Sequence, residues 1–417
     1  MDHPLRPWPV GPTDPTVVAA LTRALRSALD GTGPALAPYV DAPAARTAAA
    51  SLPPRVPDGV ALVVRTSGSA GRPRWVLLDR AALVASARAT HERLGGPGRW
   101  VLALPAGHVA GLQVLVRSLL AGTEPVTLDG PGFTPAALAR AVAAAGPAPA
   151  TRCYVSLVPT QLHRVVAAAT TRRDSGLPRG LDPLHRLDAV LVGGAAASPT
   201  LLAAARGLGL PVVTTYGMTE TCGGCVYDGL PLPGVRVELD DGAVRVAGPV
   251  LARGYLPEPG ADTSARDGAP LGAPAGADEP FVELDGVRWL RTADLGRLQD
   301  GRLQVLGRRD DVVVSGGVKV HPAAVEAVLA AVPGVAEVCV VGLPDDEWGQ
   351  EVTAVVVPGP QGGPSLVRLR EAVSRTLGSA AAPRRLVLVD ALPHRGPGKV
   401  DRTAASAIAA RHHSDQH

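Results

Sequence analysis

Arg65-Thr66-Ser67-Gly68-Ser69-Ala70-Gly71-Arg72-Pro73-Arg74 follows an unbroken apolar stretch, residues 60–64, that reads as a buried strand. Small hydroxylated residues and glycines crowd together there and end in basic side chains. Such a loop turns backbone N–H groups, hydroxyls and positive charge toward one point, which suits a polyphosphate. It is not a Walker A loop, because G-x-x-x-x-G-K-[ST] is missing from it. By itself the run also reads as a Gly/Ser-rich turn with no ligand, so the segments around it must decide.

Upstream, Asp14-Pro15 opens a helix with Leu21, Leu25 and Leu29 on one face and Gly31 to close it. Downstream, Asp79 is placed to cap a helix that reaches about residue 94. The chain then alternates. Strands are expected at 101–104, 154–158, 189–192 and 212–215, with helices at 111–121, from 160 and from 198. Alternation of this kind argues for parallel sheets with packed helices. Near residue 230 the pattern changes to hairpins around Asp241-Gly242 and Asp300-Gly301. Residues 257–280 read as an extended surface loop. Beyond about residue 310 a compact α+β segment follows, with a helix over 366–377 capped by Ser365.

At 417 residues the chain exceeds one ordinary domain. Hydrophobic residues make up 46% and charged residues 19%, a globular balance. A net charge of +3 is too small to argue for nucleic acid or a membrane surface. No run approaches the ~18 apolar residues of a membrane span. Met1-Asp2-His3-Pro4-Leu5-Arg6 has no apolar core behind a basic stretch, so no secretory signal is visible and the cytoplasm is the expected compartment. Four cysteines do not make a disulfide framework in so long a chain. Cys222-Gly223-Gly224-Cys225 lacks both a thioredoxin context and a second pair for zinc, and reads as incidental.

Three more runs carry chemistry. Thr215-Tyr216-Gly217-Met218-Thr219-Glu220 ends an expected strand, where ligands of open α/β sheets bind. It offers a flat ring for a base, a hydroxyl for a phosphate and a carboxylate for Mg²⁺. Arg291-Thr292-Ala293-Asp294-Leu295-Gly296, with Gly307-Arg308-Arg309-Asp310-Asp311, offers an acid and a base for two ribose hydroxyls. Arg395-Gly396-Pro397-Gly398-Lys399-Val400-Asp401-Arg402 sets a lysine on a glycine-rich loop. Taken singly, Glu220, Asp294 and Lys399 would pass as a surface carboxylate, a turn former and a surface lysine.

In this order and spacing the four runs resemble the adenylate-forming superfamily of acyl-CoA synthetases, luciferases and peptide-synthetase adenylation domains, over residues 60–405. Leu104-Pro105 with His108-Val109-Ala110-Gly111, then Ser156-Leu157-Val158-Pro159-Thr160-Gln161-Leu162, then Gly193-Gly194-Ala195-Ala196, are similar to its o-succinylbenzoate–CoA ligase branch. The resemblance implies an α/β fold. A large N-terminal domain, 1–309, has parallel sheets, packed helices and a small β-rich subdomain. A small mobile α+β domain, 310–417, carries the adenylation lysine. It also implies an AMP-forming acid–thiol ligase that uses ATP, Mg²⁺ and coenzyme A, with a small carboxylic acid as its other partner. No nucleic acid or membrane insertion is implied. Relatives are often dimers, which leaves the oligomeric state open.

Residue by residue, the resemblance implies that Thr66, Ser67, Gly68, Ser69, Gly71 and Arg74 bind the ATP phosphates. Gly193, Gly194, Ala195, Ala196, Tyr216, Gly217 and Met218 frame the adenine. Thr219 contacts the α-phosphate and Glu220 the Mg²⁺. Asp294 and Arg308 hold the ribose. His108, Gly111 and Gly194 line the acid pocket, Asp310 is the hinge, and Lys399 bridges carboxylate and α-phosphate. The phosphate loop departs from the family pattern T-S-G-[ST]-T-G-x-P-K-G at Ala70, Arg74 and Trp75. Losing the hydroxyl at position 70 removes a hydrogen bond worth about 1.5–3 kcal/mol to a charged group, so weaker ATP binding is expected rather than loss of activity. Arg74 keeps the charge but not the geometry of lysine. Trp75 has no account from sequence. Other readings stay open: a ligase for a different acid, an enzyme that loads a carrier protein, and a non-catalytic nucleotide-binding relative.

Overall fold

Residues 60–64 form the buried body of the strand Val60–Arg65. A strand covered on both faces is apolar on both, which is why its sequence runs without alternation. The structure, a computed structural model, describes residues 2–11, 14–66, 73–130, 132–146, 152–170, 177–257, 280–359, 362–394 and 399–414. Val60–Arg65 lies in a six-stranded sheet ordered Gly254–Tyr255, Trp75–Asp79, Val60–Arg65, Ala35–Val40, Asp2–Val10, Arg55–Pro57. Trp75–Asp79 runs antiparallel to it, with Arg65 opposite Trp75. The hydroxyl-rich run therefore joins two neighbouring antiparallel strands, the second of which the sequence reading missed. Asp79 stands at the N-cap position of the helix Arg80–Arg93 but makes no capping bond. Its carboxylate faces Arg253 at 3.0 Å instead.

Asp2–Val10 is a strand despite three prolines. It pairs in parallel with Ala35–Val40, while Arg55–Pro57 pairs only with Asp2, His3 and Pro4. The Leu5 N–H points away from Ala35–Val40, to the Pro54 carbonyl at 2.9 Å. Pro7 and Pro9 share its parity, so their nitrogens face the same side, past the end of the short strand, where a missing donor breaks no ladder. The helix Pro15–Asp30 has both expected ends. Asp14 accepts from Thr16 N–H at 2.7 Å, and Gly31 is left-handed at φ 74°.

A seven-stranded sheet carries the alternating part of the chain. Its order is Leu230–Pro231, Gly223–Tyr227, Val212–Met218, Ala189–Val192, Arg152–Leu157, Gly98–Leu102, Val126–Thr127. From Val212–Met218 onward neighbours are parallel. Four family runs thus lie at the carboxyl ends of adjacent parallel strands or run past them: 104–111, 156–162, 193–196 and 215–220. Gln161 ties two of these ends together, donating to the Ala103 carbonyl at 2.9 Å and accepting from Val158 N–H at 3.1 Å. Behind the sheet, Trp100 donates to His91 Nε2 at 3.3 Å. The buried Arg117 lies over the Trp100 ring and reaches the Tyr227 hydroxyl at 3.4 Å. Cys153, Cys222, Cys225 and Cys339 are free and buried.

The chain separates into two compact units. The first comprises Met1–Gly194, Ala203–Glu238 and Arg245–Arg291; the second comprises Ala195–Leu202, Leu239–Val244 and Thr292–His417. The second has a sheet ordered Val318–Val320, Val313–Ser315, Gly349–Pro358, Val335–Asp345, with Arg385–Leu388 also on Gly349–Pro358. Val325, Leu329, Leu369 and Val373 cover one face, and Ala405 and Ala409 the other. Ser365 caps Leu366–Leu377 by accepting from Arg368 N–H at 3.4 Å, as the sequence leads one to expect. Asp241-Gly242 and Asp300-Gly301 have the paired positive φ values of tight hairpin turns. Most of the expected loop, 258–279, lies outside the described residues.

Candidate functional site

Local packing explains why glycine occurs where it does in the first unit. A Cβ on Gly217 would lie 2.7 Å from Gly224 Cα and closer still to the Gly223 carbonyl. Gly217 stands at an irregularity in the pairing of Val212–Met218 with Gly223–Tyr227, just after Tyr216. A Cβ on Gly193 would strike the Thr215 hydroxyl, and one on Gly111 the Pro105 carbonyl. The bulge turns Val212–Met218 into the 3-10 turn Thr219–Thr221. Buried Thr221 locks that turn, accepting from Met218 N–H at 2.9 Å and donating to the Gly223 carbonyl at 2.7 Å. Thr219 and Glu220 are half-buried, and their carbonyls accept from Cys222 N–H at 3.0 Å and Ala252 N–H at 2.8 Å.

Glu220 and the ends of the phosphate loop meet around one tyrosine. Thr66 N–H donates to the Arg74 carbonyl at 2.8 Å, and Arg74 N–H to Thr66 Oγ1 at 3.0 Å, which closes the base of the loop. The Arg74 guanidinium carbon lies 3.6 Å from the centre of the Tyr255 ring. The Tyr255 hydroxyl donates to Glu220 Oε1 at 2.9 Å. Trp75 packs half-buried against a cluster that includes Leu5, Val60, Leu77 and Leu256, which accounts for an indole where the family pattern has glycine. Ser67, Gly68, Ser69, Ala70, Gly71 and Arg72 lie outside the described residues. His108 is the half-buried N-cap residue of the helix Val109–Leu120.

In the second unit, Asp294 lies opposite Arg308 in the hairpin of Val287–Gln299 with Arg302–Arg308. Arg308 reaches Asp294 at 3.4 Å and Asp310 at 3.1 Å, so one guanidinium holds both carboxylates. Asp294 is the more sheltered, its side chain 13% exposed against 58% for Asp310. Lys399 is exposed. Its neighbour Val400 bridges to His394, and Asp401 donates its N–H to the Pro393 carbonyl at 2.7 Å. Arg402 anchors the following helix through Glu326 at 2.6 Å and Asp311 at 3.2 Å. Arg395, Gly396, Pro397 and Gly398 lie outside the described residues. Ala195 and Ala196 belong to this unit, while Gly193 and Gly194 belong to the first.

Among the described residues no group of three or more His, Cys, Asp or Glu side chains could hold a metal on its own. Mg²⁺ in general takes one or two carboxylates and fills its shell with substrate phosphates and water. Glu220, with one oxygen on a phenol, is a carboxylate suited to that use. Tyr255 was missed from sequence because it lies 35 residues from its carboxylate partner and belongs to no run singled out for chemistry.

The AMP-binding enzyme model matches residues 14–256, and the AMP-binding enzyme C-terminal domain matches residues 324–399. The chain belongs to the AMP-binding enzyme family. This AMP-binding enzyme is 43% identical over 395 residues to a probable 2-succinylbenzoate–CoA ligase of Mycobacterium tuberculosis, covering 93% of this chain and 95% of that one. It is 31% identical to the 2-succinylbenzoate–CoA ligase of Bacillus licheniformis, over 83% of this chain and 69% of that one. Its fold is that of the Bacillus subtilis o-succinylbenzoate CoA synthetase solved with its acyl-adenylate intermediate: TM-score 0.70, 23% identity, 96% of this chain and 87% of that one.

Proposed function

We propose that this AMP-binding enzyme converts o-succinylbenzoate to its coenzyme A thioester in menaquinone synthesis, with ATP as the activating co-substrate. The observation that carries the reading is the 43% identity to the Mycobacterium tuberculosis protein along nearly the full length of both chains. No helix among the described residues is long and apolar enough to cross a membrane. We assign the enzyme to the cytoplasm, with small-molecule partners.

A carboxylate acylates poorly because its leaving group would be oxide. In the first step a carboxylate oxygen attacks the α-phosphorus of ATP, the bond to the β-phosphate oxygen breaks, and pyrophosphate leaves. Two anions meet there, so positive charge at the transition state is the main need. Lys399 supplies it between carboxylate and α-phosphate. Thr66, with the loop it closes, and Arg74 hold the phosphates, and Thr219 contacts the α-phosphate. Glu220 would hold Mg²⁺, which would supply further neutralisation of phosphate charge. Tyr216, with Gly193 and Gly194, frames the adenine. Asp294 and Arg308 hold the ribose, and His108 and Gly111 line the acid pocket. In the second step the thiolate of coenzyme A attacks the activated carbonyl, and AMP leaves with the carbon–oxygen bond electrons. Lys399 serves only the first step. We assign the change between steps to Asp310, in the 3-10 turn Arg309–Asp311 that follows the hairpin strand Arg302–Arg308, a usual location for a hinge. We place the functional domain boundary there, and Ser315-Gly316-Gly317 by the thiol's approach.

The test is thioester formation from ATP, Mg²⁺ and coenzyme A with o-succinylbenzoate against a panel of aliphatic and aromatic acids. The reading expects o-succinylbenzoate to exceed the acids lacking a second carboxylate by on the order of 100-fold or more in kcat/KM. Preference for another acid overturns the substrate. Pyrophosphate release that ignores the acid overturns the reaction.

A further inference from the structure

Arg74 and Glu220 come from separate family runs, yet both rest on Tyr255. The arginine is held twice: its backbone is bonded to Thr66, and its guanidinium lies over the ring at 3.6 Å. On the same residue, the hydroxyl donates to Glu220 Oε1 at 2.9 Å. Tyr255 is itself fixed by the sheet. Gly254–Tyr255 pairs with Trp75–Asp79, the strand that leaves the phosphate loop, with Tyr255 opposite Val76. From the other direction, Ala252 N–H donates to the Glu220 carbonyl at 2.8 Å, so the backbones of the two segments are joined as well.

We propose that Tyr255, braced by Arg74, is a positioning residue that fixes the aim of the Glu220 carboxylate. The proposal rests on the reading above, in which Glu220 holds Mg²⁺ beside the ATP phosphates. The terminal torsion of a glutamate has a broad energy profile, so an untethered carboxylate samples many orientations. A phenol on one oxygen removes most of that freedom and presents the other oxygen in a constant direction. A flat guanidinium stacks on an aromatic face, where the ammonium of lysine would act as a compact point charge. Arginine at position 74 therefore has a partner here that the family's lysine would use less well. Arg74 steadies the ring, and the ring steadies Glu220.

The experiment measures ATP binding to the full-length protein by calorimetry, across a range of Mg²⁺ and in EDTA. Tyr255→Phe keeps the ring and the stack but removes the hydroxyl. It should raise the Mg²⁺ concentration for half-maximal binding about tenfold, while binding in EDTA and the melting temperature stay near wild type. In a Glu220→Gln background the same change should have no further effect, because the carboxylate it orients is gone. Arg74→Ala, read independently, should raise the Mg²⁺ requirement about threefold through the loosened ring, apart from its direct loss of phosphate affinity. A merely structural tyrosine would lower the melting temperature and leave the Mg²⁺ profile unchanged. A wild-type profile in Tyr255→Phe overturns the proposal while MgATP binding by the parent protein keeps the reading of the site. Failure of the parent to bind MgATP overturns both.

Discussion

A Cβ at Gly217 of the first unit would come within 2.7 Å of Gly224 Cα, whereas Asp310 of the second unit is 58% exposed and held by one surface arginine. The same contrast runs through both units. Gly111, Gly193, Gly217 and Thr221 are set by backbone packed against backbone or by a buried hydroxyl. Asp294, Arg308 and Asp310 are charged side chains held by one another's ion pairs, and Lys399 is an exposed side chain just before the Val400–His394 bridge. In the first unit geometry and stability are thus one property. At these four positions of the second they separate, so these side chains should be exchangeable without unfolding it.

The sharpest way to break this comparison is Lys399→Ala. Acid-dependent ATP–pyrophosphate exchange should fall at least 100-fold to 1,000-fold, the range of a lost transition-state charge partner. Thioester formation from supplied acyl-adenylate should stay within a few-fold of wild type, and the melting temperature should not move. Equal loss of both half-reactions would contradict the role, and a clear drop in melting temperature would contradict the contrast. Gly217→Ala should act on stability first. Its new methyl meets main chain that cannot rotate away, so urea unfolding should show a loss of about 3 kcal/mol, with both half-reactions impaired.

A smaller effect is expected from pH. Burial, then the nearby Arg117, hold His91 down at about 4 from its ordinary 6.5. The folded protein therefore binds fewer protons here than the unfolded chain between those values. The neutral ring, accepting from Trp100, is favoured above about pH 6.5, and that stability is lost progressively as pH falls toward 4. The loss should amount to about 2–3 kcal/mol in the difference between wild type and His91→Phe, followed by urea unfolding from pH 7 to pH 4. A constant difference across that range would remove His91 from the acid response.

Local signals were legible where a residue acts on its neighbours. Asp14 and Gly31 mark both ends of their helix, and Asp241-Gly242 and Asp300-Gly301 make their turns. The run of alternating elements gave the parallel sheet and, with it, the carboxyl ends where the family runs sit. What escaped depends on distant partners. Asp2–Val10 carries prolines at 4, 7 and 9: Pro4 precedes the pairing with Ala35–Val40, and Pro7 and Pro9 are tolerated through the parity of the pairing. Trp75–Asp79 is short, and its place between Val60–Arg65 and Gly254–Tyr255 depends on a strand 175 residues further on. Asp79 was read as a cap, yet Arg253 competes for its carboxylate across the sheet. Tyr255 has no local signature at all.

The four cysteine sulfurs have a bearing on the chemistry assigned to this chain, which brings a reactive mercaptan to an electrophile. Burial pushes the Cys153 thiol up to about 11 and those of Cys225 and Cys339 up to about 12, and raises Cys222 as well. At neutral pH none offers an appreciable fraction of the nucleophilic anion, and none is open to solvent. The protein is consequently a poor competitor for its own activated intermediate. It also resists forming mixed disulfides with an oxidised co-substrate and stays insensitive to alkylating reagents for as long as it remains folded.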